Sequence, residues 1–128
     1  MALTDAEISY LASQPLGRLA TMSPDGSPQV NPVGFRYDAE LGVIDIGGHD
    51  LTATKKFRNV AASGRAALVV DDLVSRQPWR VRGVEIRGKA EPLDGSRGGS
   101  PVIRIHPRRV ISWGVEPGQQ GMRGRDVS

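Results

Sequence analysis

From Leu16 to Trp113 the apolar residues arrive in short runs, and each run is closed by a cluster of turn-forming residues. This punctuation constrains the fold more than any other feature, because runs of about four to eight residues have the length of strands and are too short for helices. The predicted strands are Leu16 to Thr21, Gln29 to Tyr37, Val43 to Ile46, Arg65 to Val70, Val84 to Ala90, and a last one from Val102 to Trp113 interrupted at His106-Pro107. Ser23-Pro24-Asp25-Gly26 and Asp38 to Gly42 are tight turns, so the first three strands run antiparallel in sequence. Pro32 cannot donate to a ladder, which places the second strand at an edge or makes it bulged, its backbone facing something other than a strand. Ala66 to Val70 is apolar throughout and reads as central. Asp71 to Arg80 reads as a polar loop, and Pro92 to Pro101 as a Gly/Ser-rich turn too flexible for a helix.

Two short helices interrupt this pattern. Thr4-Asp5-Ala6-Glu7 has the form of a capping box, with Ile8, Leu11 and Ala12 at helical spacing, so a helix runs to about Ser13 and stops before Pro15. A second opens at Asp50, after the pair Gly47-Gly48 that lets the chain turn sharply. Many short antiparallel strands with little helix favour a small closed or partly closed barrel, which removes sheet edges, with an open sandwich as the alternative. A chain of 128 residues suits one such domain, here residues 1–114. Residues 115–128 carry glycines and no apolar period, the pattern of a tail that is mobile unless something holds it.

Composition removes several function classes. Without cysteine there is no disulfide, thiolate metal site or cysteine nucleophile. His49 and His106 lack metal-ligand spacing, no Gly-x-Ser-x-Gly elbow is present, and Gly47-Gly48 lacks the Gly-x-Gly-x-x-Gly spacing of a dinucleotide fingerprint. No side chain is assigned as catalytic, so an enzyme built on this chain needs a cofactor to carry the chemistry. No apolar run approaches a membrane span and the N-terminus has no signal pattern, so the expectation is a cytoplasmic protein that does not engage a membrane. A net charge of +3 permits an anionic small molecule or nucleic acid, but six scattered aromatics make a poor base-stacking platform, and nucleic acid is not the expected partner.

The stretch from Asp45 to Asn59 carries the main site signal. On a helical wheel Ala53, Phe57 and Val60 form an apolar stripe, while Thr52, Lys55, Lys56 and Asn59 fall on another face. Hydroxyls and two lysines in the first turns of a helix suit a phosphate, since dipole, unpaired amides and charge act together; a solvated lysine pair is the plainer reading. Trp79, with Arg80 and Arg82, is either a local plug or a platform for a planar or anionic ligand. Arg104, Arg108 and Arg109 read as solvated or as paired across a subunit interface.

Taken together, Leu16-Gly17-Arg18-Leu19-Ala20-Thr21, Pro24 to Val33, Thr54-Lys55-Lys56-Phe57-Arg58-Asn59-Val60 and Gly64 to Asp72 resemble the split-barrel flavin and deazaflavin oxidoreductases related to pyridoxamine 5′-phosphate oxidase. The run Pro78 to Gly88 is similar to that of a subgroup dependent on coenzyme F420, the 8-hydroxy-5-deazaflavin coenzyme. The resemblance covers about Leu16 to Trp113. It implies a mainly β, six-stranded antiparallel split β-barrel and a homodimer with cofactor grooves at its interface. It further implies hydride transfer from reduced F420 to an electron-poor small-molecule substrate, with an FMN-binding oxidoreductase or a non-catalytic F420 carrier as alternatives. By the same resemblance, Thr54, Lys55, Lys56 and Asn59 hold the cofactor phosphate. Asn31, Pro32, Val33, Gly47 and Gly48 lie against the ring, and Trp79 and Arg82 approach from the partner subunit. The segment Asp94 to Ser100 is short where full-length pyridoxamine phosphate oxidases carry substrate-binding structure, which argues against that substrate.

Overall fold

The computed structural model describes residues 2–128. Thr4 caps the first helix, α1 (Asp5–Ser13), with the reciprocal bonds of a capping box: its hydroxyl accepts from the Glu7 N–H, and the Glu7 carboxylate accepts from the Thr4 N–H. After α1 come β1 (Gly17–Met22), β2 (Pro28–Val33), β3 (Arg36–Asp38) and β4 (Val43–Ile46). A 3₁₀ turn (Leu51–Ala53) precedes α2 (Lys55–Ser63), and β5 (Arg65–Arg76), β6 (Trp79–Leu93), β7 (Val102–Trp113) and β8 (Met122–Asp126) complete the chain. All registered strand pairs are antiparallel.

The strands form one sheet in the order β2-β1-β5-β6-β7-β4-β3, with β8 also on β7. The branch arises because β7 gives one edge to β6 and divides the other: Ile103–Ile105 pair with β4, whereas Arg109–Trp113 pair with β8. Period-two alternation sends one set of side chains inward. Leu19, Leu68, Ile86 and Val110 are neighbours in one row across β1, β5, β6 and β7, and each is at most 1% exposed. Leu3, Tyr10 and Leu11 from the N-terminal segment and Val60 from α2 join the same core.

Several expectations change against this architecture. Eight strands are present rather than six, because the predicted Gln29 to Tyr37 strand divides at Gly34-Phe35 into β2 and β3, and because β8 exists. The pair Gly47-Gly48 does not make the sharp turn by left-handed backbone; Asp50, with φ 48°, does, and it opens the 3₁₀ turn while Thr54 caps α2. Asp71 to Arg80 is not a loop. Asp71↔Gly83, Asp72↔Arg82 and Leu73↔Val81 continue the β5–β6 ladder beyond the core, where neither face is buried and the apolar alternation that marks a strand is lost. At Pro107 the strand does not break: Arg87↔Arg109 is followed by Gly88↔Pro107, so Arg108 is the extra residue of a bulge.

Residues 115–128 do not form a free tail. Met122–Asp126 pairs along β7, and Arg125 bonds the Glu7 carboxylate at 2.6 and 2.9 Å. The segment has no apolar period because backbone hydrogen bonds and an ion pair do most of the holding, with only Val115 and Val127 packed on the core. No helix among the described residues is long and apolar enough to cross a membrane.

Candidate functional site

Thr54 fixes the start of α2. Its hydroxyl donates to the Leu51 carbonyl at 2.6 Å and accepts from the Phe57 N–H at 3.3 Å, which commits the side chain to capping rather than to a ligand. Lys55 and Lys56 follow at once, and neither has an ion-pair partner among the described residues. No acid lies in the first turn of α2. Two unpaired cations at the positive end of a helix oppose its dipole, at a cost of about 0.3–1 kcal/mol each, and an anion bound there reverses the sign.

Asn59 turns inward. The wheel puts it on the lysine face, but α2 packs on β1 and β6, and Asn59 is 2% exposed. Its amide donates to Thr21 Oγ1 at 3.1 Å and to Gln29 Oε1 at 3.2 Å, and Gln29 passes a hydrogen bond to Asn31 Oδ1 at 2.6 Å. Asn59 therefore positions α2 against β2. Of the four residues expected at a phosphate, Lys55 and Lys56 remain available and Thr54 and Asn59 hold the frame. Lys55 also lies near the β1–β2 turn: Asp25 titrates below the ordinary carboxylate range, first because it accepts hydrogen bonds from Ser27 and then because of the Lys55 charge.

β2 ends the sheet, so its outer edge has no strand partner among the described residues. Asn31 is half-buried, Pro32 is exposed and Val33 is buried. The expected edge position of the proline strand is thus observed, with Pro32 opposite Arg18 of β1. Gly47 and Gly48 follow β4 and are exposed; a methyl group on Gly47 meets nothing within 4 Å, which leaves open space above that backbone.

Trp79 and Arg82 lie apart from α2 and β2 within one chain. They lie on β6, three strands from β2, at the outer end of the β5–β6 hairpin. Arg82 grips both oxygens of Asp72 at 2.8 and 3.1 Å and stacks over the Tyr10 ring at 5.0 Å, while the Tyr10 hydroxyl donates to the same carboxylate at 2.8 Å. Asp72 titrates low chiefly because of Arg82, and the Tyr10 hydroxyl is pushed up by burial and then by Asp72. Sequence spacing gave no signal for this three-element cluster, since its members lie 62 and 10 residues apart. Arg104 likewise does not stay solvated: it pairs in a two-pronged bond with the buried Asp45. Arg109 pairs with Asp126 within the chain.

Two free ammonium groups at a helix N-terminus fit a phosphate group, and separately the β2 edge is unpaired and the Gly47 backbone open. Among the described residues no cluster of His, Cys, Asp and Glu is arranged to hold a metal ion.

Comparison with known proteins bears on this geometry. Residues 3–114 match the family described as pyridoxamine 5′-phosphate oxidase. The chain is 45% identical, over its whole length and 95% of the other protein, to the 5a,11a-dehydrotetracycline/5a,11a-dehydrooxytetracycline reductase of Streptomyces rimosus. A solved structure named F420 reductase superposes with a TM-score of 0.61 at 26% identity, over 80% of this chain and 94% of that one. A FAD-binding protein of Mesorhizobium loti, 21% identical, superposes with a TM-score of 0.62 over 98% of this chain and 96% of its own.

Proposed function

The chain belongs to the pyridoxamine 5′-phosphate oxidase family, and from that premise we propose that it is a reductase dependent on coenzyme F420, acting on an electron-poor, multi-ring organic substrate. The observation that carries the cofactor reading is the unpaired Lys55-Lys56 at the capped N-terminus of α2, an anion site by charge, dipole and free amides together. The reductase with 45% identity supports the reaction type and an acceptor related to dehydrotetracycline. The 26% identical F420 reductase supports the coenzyme.

In this reading Lys55 and Lys56 take the cofactor phosphate, and Asn59 keeps α2 in register with β2 through Gln29. The backbone of Asn31, Pro32 and Val33, with the open surface at Gly47 and Gly48, lies against the ring. Held there in its reduced form, the deazaflavin would supply a hydride to the acceptor double bond with the accompanying proton from solvent, so no residue is assigned as an acid.

The protein acts as a homodimer. Leu16, Met22 and Val30, at 54%, 46% and 64% exposure, belong to the β1–β2 edge, where a second copy buries them and brings Trp79 and Arg82 toward the neighbouring cofactor. Light scattering at micromolar concentration is expected to give twice the chain mass of 13.7 kDa.

Fluorescence titration with oxidised F420, and in parallel with FMN, tests the cofactor. Tighter F420 binding is expected, and Lys56→Ala weakens it by about 1.5–3 kcal/mol, the range for a hydrogen bond to a charged group. Tighter binding of FMN overturns the coenzyme assignment. F420 binding without reduction of any acceptor across a multi-ring panel makes the protein a carrier.

A further inference from the structure

The β5–β6 hairpin and the β7–β8 connection enclose a groove of about 860 Å³ that includes both tryptophans of the chain. Its back wall is rigidly built. A side chain on Gly83 meets the Trp113 indole at 2.4 Å, so glycine there lets the ring lie against the β6 backbone. Gly114, at φ 65° and with its methyl position 2.4 Å from the Val81 carbonyl, turns the chain away without filling the groove. Gln119 then pins the connection: its amide donates to the Ser112 carbonyl at 2.9 Å, and its oxygen accepts from the N–H groups of Val115 and Glu116.

The front is apolar and open to solvent. Val74 is 55% exposed, Trp79 70% and Met122 70%. Two cations complete the lining. Arg82 is held in place by Asp72 and Tyr10, whereas Arg80 has no ion-pair partner among the described residues. The lining is mixed, polar and apolar in similar measure, so it offers indole and aliphatic faces to a ring system and a guanidinium to an anionic group.

We infer that this groove binds the hydride acceptor, a flat multi-ring molecule carrying an acidic enol or carboxylate, with Trp79 and Trp113 against the rings and Arg80 on the anionic group. Taking the ligand as the acceptor rests on the reading under Proposed function; the binding itself does not. Gln119 is a positioning residue, which holds the β7–β8 connection as the groove's rim.

Because Trp79 and Trp113 are the two tryptophans, indole fluorescence reports on the groove in the absence of any cofactor. Titration of the purified protein with tetracycline, a four-ring anionic probe, is expected to give saturable quenching. Arg80→Gln raises the dissociation constant at least fivefold, and Trp79→Leu, read on Trp113, at least tenfold. Gln119→Ala raises it at least threefold while oxidised F420 binds within twofold of the parent. Absence of saturable quenching, or parental affinity in both the Arg80→Gln and Trp79→Leu proteins, overturns the inference. Saturable tetracycline binding in a protein that fails to bind F420 keeps the groove and removes the cofactor reading, so the two fail separately.

Discussion

Replacing Glu7 with alanine is expected to cost about 3 kcal/mol of folding stability. The Glu7 side chain is 0% exposed, and its two oxygens accept three hydrogen bonds: Thr4 N–H at 2.9 Å, Arg125 Nη2 at 2.6 Å and Arg125 Nη1 at 2.9 Å. Removing one partner of a buried pair costs about 3–5 kcal/mol, because the other charge is left uncompensated. Arg125 is 36% exposed and rehydrates in part, which moves its share below that range, while loss of the capping bond adds about 1 kcal/mol. At about 4 °C per kcal/mol for a chain of this size, the melting temperature falls by about 12 °C. The loss is local as well as global, since Arg125 ties β8 to α1, so β8 amides exchange faster in the variant.

A pH dependence accompanies it. Burial pushes the Glu7 carboxyl up, but the Arg125 and Thr4 bonds outweigh it and hold the group below its ordinary value. A depressed folded pKa means the stabilisation is complete above the unfolded value of about 4.3 and fades as pH falls through the folded one. Urea midpoints at pH 7 and pH 3, for the parent and for Glu7→Ala, measure both effects. A loss under about 1 kcal/mol at pH 7, or a parent-variant gap that does not shrink at pH 3, refutes the reasoning.

Asn59→Ala removes the donor to Thr21 and Gln29 in a buried setting and is expected to cost about 2 kcal/mol in urea unfolding. It also weakens F420 binding with both lysines intact, because α2 loses its register on β2; unchanged coenzyme affinity removes Asn59 from the supporting frame. Gly88→Ala places a methyl group 2.0 Å from the His106 carbonyl oxygen at the β6–β7 bulge, and a loss of at least about 2 kcal/mol is expected by thermal melting. A neutral result there shows that the bulge yields.

Much of the fold was readable wherever local chemistry dictates it. The capping box at Thr4, the strand from Val43 to Ile46, and the edge position forced by Pro32 all follow from local chemistry, and α1 and β4 appear where that chemistry places them. The lysine pair at α2 was legible because a helix N-terminus is a local feature. Where neither face is buried the signal disappears: β5 and β6 run on through Asp71 to Arg80 as a two-stranded ribbon, and β8 is held by backbone bonds and Arg125 rather than by apolar side chains. Which polar residues stay open to solvent and which are tied into the frame was decided only in three dimensions. Lys56 and Asn59 share a wheel face in sequence, yet packing of α2 on the sheet buries the asparagine and leaves the lysine without an acidic partner among the described residues. The sequence determined the elements and the charge at the helix start; tertiary packing determined their neighbours, because pairs such as Glu7 with Arg125 and Tyr10 with Asp72 are separated by 118 and 62 residues and no local period connects them.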